Sequence, residues 1–336
     1  MQYKTLGNTG LLVSRLCLGT MTFGGGEGLF KFIGAVDQKR ADELIKVASE
    51  HGINFFDTAP FYGQGESEKI LGEVFAGRRE QVIIATKIGL YPSAVLRLAS
   101  KVKPLVRSAL VALPGVGRKL MQRSVQGFMR SSNQVKFDPQ SIVTSVEASL
   151  KRLRTDHIDL LLLHVTPPRE EVPQVIEQLR KLQSQGKIRY YGASSHSDDD
   201  VRFWLGSDGG NIAALQIMLN LLEVPAIDLS VSLAAQSGVG LIAREPFARG
   251  RLLPPAADGK LGFVGHEYDA RFEAFARERG RTVPQIALQF LAGATGVETI
   301  LAGMSTQRHL EENVKVLSLP PLSAAELTQL RDHALR

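Results

Sequence analysis

Short apolar runs alternate with longer amphipathic ones from Leu16 almost to the carboxyl terminus, and no other feature limits the possible folds so strongly. The apolar runs predict eight strands, at Leu16–Gly19, Ile53–Asp57, Val82–Thr86, Ile158–Leu163, Ile188–Gly192, Ile212–Gln216, Gly240–Ala243 and Thr299–Leu301. Helical spacing falls between them, at Gln38–His51, Ser67–Phe75, Pro139–Leu153, Glu170–Gln185, Val283–Leu291 and Thr306–Leu317. Asp138-Pro139 pairs a capping residue with a proline suited to a first helical turn, and Gly52 and Gly186 mark helix ends. With no linker near the midpoint, the pattern favours a closed (β/α)8 barrel, a TIM barrel, over a doubly wound open sheet. The whole chain, residues 1–336, is expected to form one domain. A β-hairpin around Gly7, Asn8 and Gly10 precedes the barrel, and Ser323–Leu330 adds a carboxyl-terminal helix.

Composition removes several functional classes. Hydrophobic residues make up 44% of the chain and charged residues 22%, which suits a packed core and not a disordered chain. Apolar runs such as Leu160–Leu163 are far shorter than the roughly 18 residues of a membrane span. Met1 to Arg15 lacks the basic start and apolar core of a signal peptide, and Cys17 is the single cysteine, so a reducing, cytoplasmic setting is expected.

The net charge of +6 is local in origin. Nine Lys and Arg and no acid lie between Leu90 and Lys136, and without them the 40 basic residues fall to 31 against 34 acidic ones. A basic face made for nucleic acid is therefore not expected. The segment at about 90–136 interrupts the alternation and is too long for an ordinary connection. Val95, Leu98, Val102, Leu105, Val106 and Ala109 recur at helical spacing; after Pro114-Gly115, Val116, Leu120, Met121, Val125 and Phe128 do so again. A basic helical insertion follows from this pattern. It could pack on the barrel mouth, act as a substrate lid, or meet an acidic partner or a membrane surface.

On a barrel, residues just past the carboxyl ends of the strands converge on one site. Asp57 and Tyr62 follow the second predicted strand, Lys87 the third and His164 the fourth. A phenol is a poor acid at neutral pH, but a neighbouring ammonium stabilises phenolate and eases release of the proton. Lys87 can do this for Tyr62, Asp57 can keep Lys87 charged and oriented, and a His164 nitrogen can hydrogen-bond a substrate oxygen. The set suits reduction of a carbonyl. Taken singly, each residue also has an ordinary structural reading, as a solvated charge, a packing tyrosine, a turn aspartate or a loop histidine.

Longer motifs carry a resemblance. They run from Tyr3-Lys4-Thr5-Leu6-Gly7-Asn8-Thr9-Gly10-Leu11 through Gly52-Ile53-Asn54-Phe55-Phe56-Asp57-Thr58-Ala59 and Gly65-Glu66-Ser67-Glu68-Lys69-Ile70-Leu71-Gly72. Ser149-Leu150-Lys151-Arg152-Leu153, Ile158-Asp159-Leu160 and Glu311-Glu312-Asn313 complete the series. In this the chain is similar to the aldo-keto reductases. The resemblance implies a (β/α)8 barrel that binds a nicotinamide cofactor across its mouth and transfers hydride directly to an aldehyde or ketone. It implies Tyr62 as proton donor, Lys87 and Asp57 as its tuning pair and His164 as the group that orients the carbonyl. Ser194, Ser195 and Gln216 resemble the nicotinamide carboxamide contacts, with Ser195 where asparagine is usual. Arg244 stands where many members carry an aromatic residue on the nicotinamide ring, and its planar guanidinium can stack in the same way. Gly303, Ser305, Arg308, Glu312 and Asn313 resemble the segment that grips the adenosine end. With Arg308 as the basic residue, NADPH is the expected cofactor and NADH is possible. Phe23, Phe61, Val165 and Phe247 are expected to line the substrate pocket.

Other signatures lead elsewhere. The Gly24-Gly25-Gly26-Glu27-Gly28 cluster lacks the Lys-Ser/Thr ending of a phosphate loop and reads as a flap. The seven histidines lack metal-ligand spacing, so no metal is assigned, and no hydrolase nucleophile signature is present. The rival reading is a nicotinamide-binding regulatory or partner protein, similar to potassium-channel β subunits.

Overall fold

Eight parallel strands close on themselves in the computed structural model, which describes residues 1–24, 36–92, 133–195, 197–206, 211–254 and 268–335. An antiparallel hairpin, β1 (Tyr3–Thr5) with β2 (Leu12–Ser14), leads into β3 (Leu16–Gly19), the first strand of the barrel. The ring continues through β4 (Phe55–Asp57), β5 (Ile83–Ile88), β8 (Ile158–Leu163), β9 (Ile188–Ser195), β10 (Ala214–Met218), β11 (Gly240–Arg244) and β12 (Val297–Gly303). β12 pairs back on β3 to close it. The predicted barrel, hairpin and carboxyl-terminal helix (Ala324–Ala334) are all present.

Strand alternation divides the core in two. Cys17, Phe55, Ile83, Ala85, Leu160, Leu162, Ala214 and Ile242 point inward and form one apolar cluster with Leu6, Leu11 and Val13 of the hairpin. Their neighbours Leu18, Phe56, Ile84, Leu161, Leu215 and Leu241 point outward into the layer of helices. The hairpin plugs the amino-terminal end of the barrel. Gly7 sits so close there that a Cβ would lie 2.4 Å from the Gly240 nitrogen, and Tyr190 donates to the Thr9 carbonyl.

The helices α1 (Gln38–Glu50), α2 (Glu66–Val74), α3 (Pro139–Leu153) and α4 (Val172–Ser184) follow the predicted stripes, and the Asp138 side chain caps α3 by accepting from the Ser141 N–H. Three helices were not foreseen: α5 (Asp198–Leu205), α6 (Val224–Ser237) and α7 (Glu273–Glu278). α5 and α7 are short, and in α6 the apolar residues are spread around the axis, so no stripe stands out. α8 (Val283–Gly293) and α9 (Gln307–Ser318) complete the layer, and the carboxyl-terminal helix is α10.

The two ends of the basic segment form strands, not helices: β6 (Leu90–Pro92) pairs antiparallel with β7 (Asn133–Val135). The two predicted amphipathic helices fall within residues 93–132, and the flap falls at 25–28, outside the described residues. Among the described residues no helix is long and apolar enough to cross a membrane.

A buried ion pair ties the layers together. Glu68 on α2 is fully buried; it accepts from Arg152 Nε on α3 at 2.6 Å and from the Thr86 hydroxyl on β5 at 2.6 Å. Removing one member of such a pair leaves the other charge stranded. Arg152→Ala is expected to lower the unfolding free energy by about 3 kcal/mol, seen as a lower urea midpoint with an unchanged denaturant slope. An unchanged midpoint would mean that Glu68 needs no partner.

Candidate active site

The inward register that fills the barrel also selects the residues at its mouth. Phe55 points inward, so Asp57 does as well; Ile83 and Ala85 lead to Lys87, and Leu160 and Leu162 lead to His164. Across the ring, Ala214 leads to Gln216, Ile242 to Arg244, and Tyr190 through Gly192 to Ser194. Six strands thus place an inward position at or just past their carboxyl ends in one polar layer above an apolar plug. Ser195 is out of phase. Its hydroxyl donates to the Ser197 carbonyl at 3.2 Å, and its own backbone carbonyl accepts from Arg244 Nη2 at 2.8 Å.

Asp57, Lys87 and Tyr62 meet in this layer. Lys87 Nζ donates to Asp57 Oδ1 at 2.6 Å, to the Thr58 carbonyl at 2.9 Å and to the Tyr62 hydroxyl at 3.2 Å. The Asp57 and Lys87 side chains are each only 2% exposed. Burial alone would lower the Lys87 ammonium, but Asp57 and then Tyr62 outweigh it and hold the group above the ordinary lysine value. For Tyr62 burial wins. It pushes the phenol above its ordinary value while Lys87 pulls the other way. Lys87 favours the phenolate, as expected from the sequence, and burial opposes it more strongly. The His164 ring stands edge-on to the Tyr62 ring, with 6.2 Å between centroids and an 88° interplanar angle. Cys17 is buried below this layer, where desolvation raises its thiol well above the ordinary value and keeps it protonated.

Tyr62 is carried by a turn and not by a strand. Gly63, Gln64 and Gly65 all have positive φ, at 56°, 59° and 94°, and a Cβ on Gly63 would lie 2.9 Å from the Phe23 carbonyl. Ser67 just beyond the turn is fully buried and bonds the hydroxyls of Thr20 and Thr58, at 2.6 and 2.8 Å. Sequence reasoning overlooked Thr58, Ser67 and Glu68 as supports, although all three lie within motifs that it quoted.

The opposite wall is a second polar cluster. Ser194 donates to Gln216 Oε1 at 3.3 Å, and Gln216 Nε2 donates to Asp57 Oδ2 at 2.8 Å. Arg244 pairs with Glu245, which also accepts from Arg249 Nε at 2.6 Å. Glu245 was not singled out in the sequence, although its place beside Arg244 was the available signal. Glu245, Ala248 and Arg249 all adopt left-handed backbone, so this arc after β11 bends tightly around the mouth. At the end of β12, Gly303 is exposed and Ser305 half-buried. Arg308 and Glu312 face solvent on α9, 3.4 Å apart, while Asn313 is buried. Of the expected pocket residues, Phe61, Val165 and Phe247 are half-buried near strand ends, whereas Phe23 is wholly buried in the outer core.

The model of the aldo/keto reductase family matches residues 15–335. The chain belongs to the aldo-keto reductase family. The NADH-specific methylglyoxal reductase of Escherichia coli is 27% identical to this family member, across 99% of this chain and 98% of that protein. A probable voltage-gated potassium channel subunit beta of Arabidopsis thaliana is 25% identical, across 96% and 93%. The holo form of an aldo-keto reductase from Bacillus halodurans superposes with a TM-score of 0.75 at 27% identity, covering 100% of this chain and 95% of that one. Members of the family are NAD(P)H-dependent oxidoreductases, and this aldo-keto reductase is one of them.

The residues at the mouth fit a nicotinamide group. Ser194 and Gln216 offer acceptor capacity beyond their mutual bond, as a carboxamide requires, and Arg244 places a planar cation at the same rim. One prediction follows from the electrostatics of the tyrosine. Lys87→Met is expected to move Tyr62 ionisation to still higher pH, followed in the free protein by ultraviolet tyrosinate absorbance with Tyr62→Phe as the blank. A shift in the opposite direction would show that Lys87 does not support phenolate.

Proposed function

We propose that this aldo-keto reductase reduces an aldehyde or ketone to the alcohol, with NADPH as its cofactor. The observation that carries the reading is the buried contact of Lys87 Nζ with both Asp57 and the Tyr62 hydroxyl, beside the His164 ring. The bound cofactor supplies hydride to the carbonyl carbon. Tyr62 gives its hydroxyl proton to the carbonyl oxygen as negative charge develops there. Lys87 stabilises the phenolate that remains, and Asp57 holds Lys87 charged and aimed. A ring nitrogen of His164 orients the oxygen. Apolar surface from Phe61, Val165 and Phe247 would receive the substituents of the carbonyl.

For the cofactor, Ser194, Gln216 and Arg244 would hold the nicotinamide end, and Gly303, Ser305, Arg308, Glu312 and Asn313 the adenosine end. Arg308 lies in the first turn of α9, where an exposed guanidinium and the positive end of the helix dipole both favour an anion. This supports NADPH over NADH. A single buried cysteine agrees with a cytoplasmic setting.

Titration of the protein with NADPH and NADH, followed by addition of 4-nitrobenzaldehyde, tests the reading. Tighter NADPH binding and oxidation of the bound cofactor are expected. Tyr62→Phe should abolish turnover while leaving cofactor affinity within about threefold, because only the donated proton is lost. Near-normal turnover in that variant would refute the assigned proton donor.

A second reading is favoured by the similarity to the Arabidopsis channel-subunit protein and by the nine basic residues between Leu90 and Lys136. That segment would dock an acidic partner or membrane surface. Neutralising Arg97, Lys101, Lys103 and Arg107 separates the two: altered aldehyde kinetics support a substrate lid, whereas unchanged kinetics with lost anionic-vesicle or partner binding support docking.

A further inference from the structure

Gln216 touches more than a cofactor contact would need. β10 lies diametrically opposite β4, four strands away in either direction around the ring, yet the Gln216 amide reaches across the mouth to Asp57 Oδ2 at 2.8 Å. Ionised Asp57 only accepts, so the amide nitrogen must face it and the amide oxygen must face Ser194, as observed at 3.3 Å. Asp57 Oδ1 is meanwhile taken by Lys87 at 2.6 Å, and Lys87 holds the Tyr62 hydroxyl at 3.2 Å. The result is one continuous hydrogen-bonded chain, Ser194–Gln216–Asp57–Lys87–Tyr62. Its first four side chains are each at most 3% exposed.

We infer that Gln216 is a positioning residue for the proton donor: it anchors the free oxygen of Asp57, and so links the nicotinamide wall to the acidity of Tyr62. The inference rests on Tyr62 being that donor. With the amide bond in place, the Asp57 charge is shared between two donors and Lys87 keeps more of its field for the phenol. Without it, Asp57 Oδ2 is buried and unpartnered. The carboxylate then concentrates on Lys87, and that makes phenolate harder to form. Occupancy of Ser194 and the spare acceptor of Gln216 by a carboxamide would tighten the amide and pass along the same chain.

Three variants test this. Gln216→Met keeps the length and removes both polar atoms; Gln216→Glu replaces the amide by a group that can donate to Asp57 only while protonated; Tyr62→Phe reports on the donor itself. Positioning predicts that Gln216→Met lowers kcat about tenfold at saturating cofactor and moves Tyr62 ionisation in the free protein up by about one pH unit. For Gln216→Glu it predicts that kcat recovers as pH falls through the titration of the new carboxyl, a dependence absent from wild type and from Gln216→Met. A weaker cofactor Kd with kcat at saturation, its pH profile and the tyrosinate titration unchanged would overturn the inference and leave Gln216 as a cofactor contact. The absence of any low-pH recovery in a folded Gln216→Glu protein would overturn it as well. If Tyr62→Phe retained turnover, the failure would lie in the assigned donor. If Gln216→Met does not fold, Gln216→Glu and its pH profile decide the matter alone.

Discussion

An ammonium and a carboxylate taken out of water together are the demand around which the mouth of this barrel is organised. Isolated, either charge would cost several kcal/mol to bury, and even a pair is tolerated only when its remaining donors and acceptors are satisfied. Lys87 meets that condition with three acceptors, and Asp57 with one donor on each oxygen. Few folds can supply so many polar partners at one point while keeping it dry. A closed parallel barrel can, because its strands end near one level, and here six of the eight contribute an inward residue there.

The strand-borne part of the site is rigid by construction, but its proton-bearing member is not on a strand. Tyr62 depends on a turn in which Gly63, Gln64 and Gly65 all take left-handed backbone, a conformation that costs only Gln64 appreciable strain. Hydroxyls and a buried carboxylate hold it shut from behind: Ser67 between Thr20 and Thr58, and Glu68 between Arg152 and Thr86. Thr86 is the neighbour of Lys87, so the same support fixes both partners of the 3.2 Å contact.

Much of this was legible in the residues themselves. Leu160–Leu163 is an unbroken apolar run of the kind carried by a strand buried on both faces, and the limits of β8, Ile158–Leu163, match the prediction. β4 is shorter than expected, beginning at Phe55 instead of Ile53, because the Asn54 side chain is engaged by β2 through the Ser14 N–H and the Leu12 carbonyl. Asp57, Lys87 and His164 could be named from their positions after strands. The span from Gln216 to Asp57 could not, since it exists only once the ring has closed and brought opposite walls within one side chain of each other. Nor could burial of the Tyr62 phenol, which reverses the net direction of its shift although the contribution of Lys87 has the expected sign. Phe23 was expected to line the substrate pocket, but its backbone bridges to Val36 and its side chain lies in the outer core.

The short ladder of β6 and β7 carries a consequence of its own. It pins Leu90 to Val135 directly above β5, and the Lys136 N–H bonds the Gly89 carbonyl at 3.1 Å, so the two ends of the intervening stretch are joined before that stretch begins. Loop-closure entropy grows only with the logarithm of length, about 0.6 kcal/mol per doubling. Behind such a clasp the stretch is a cassette. Evolution can lengthen, shorten or recharge it and leave the barrel, with Lys87 a few residues away, in the same register.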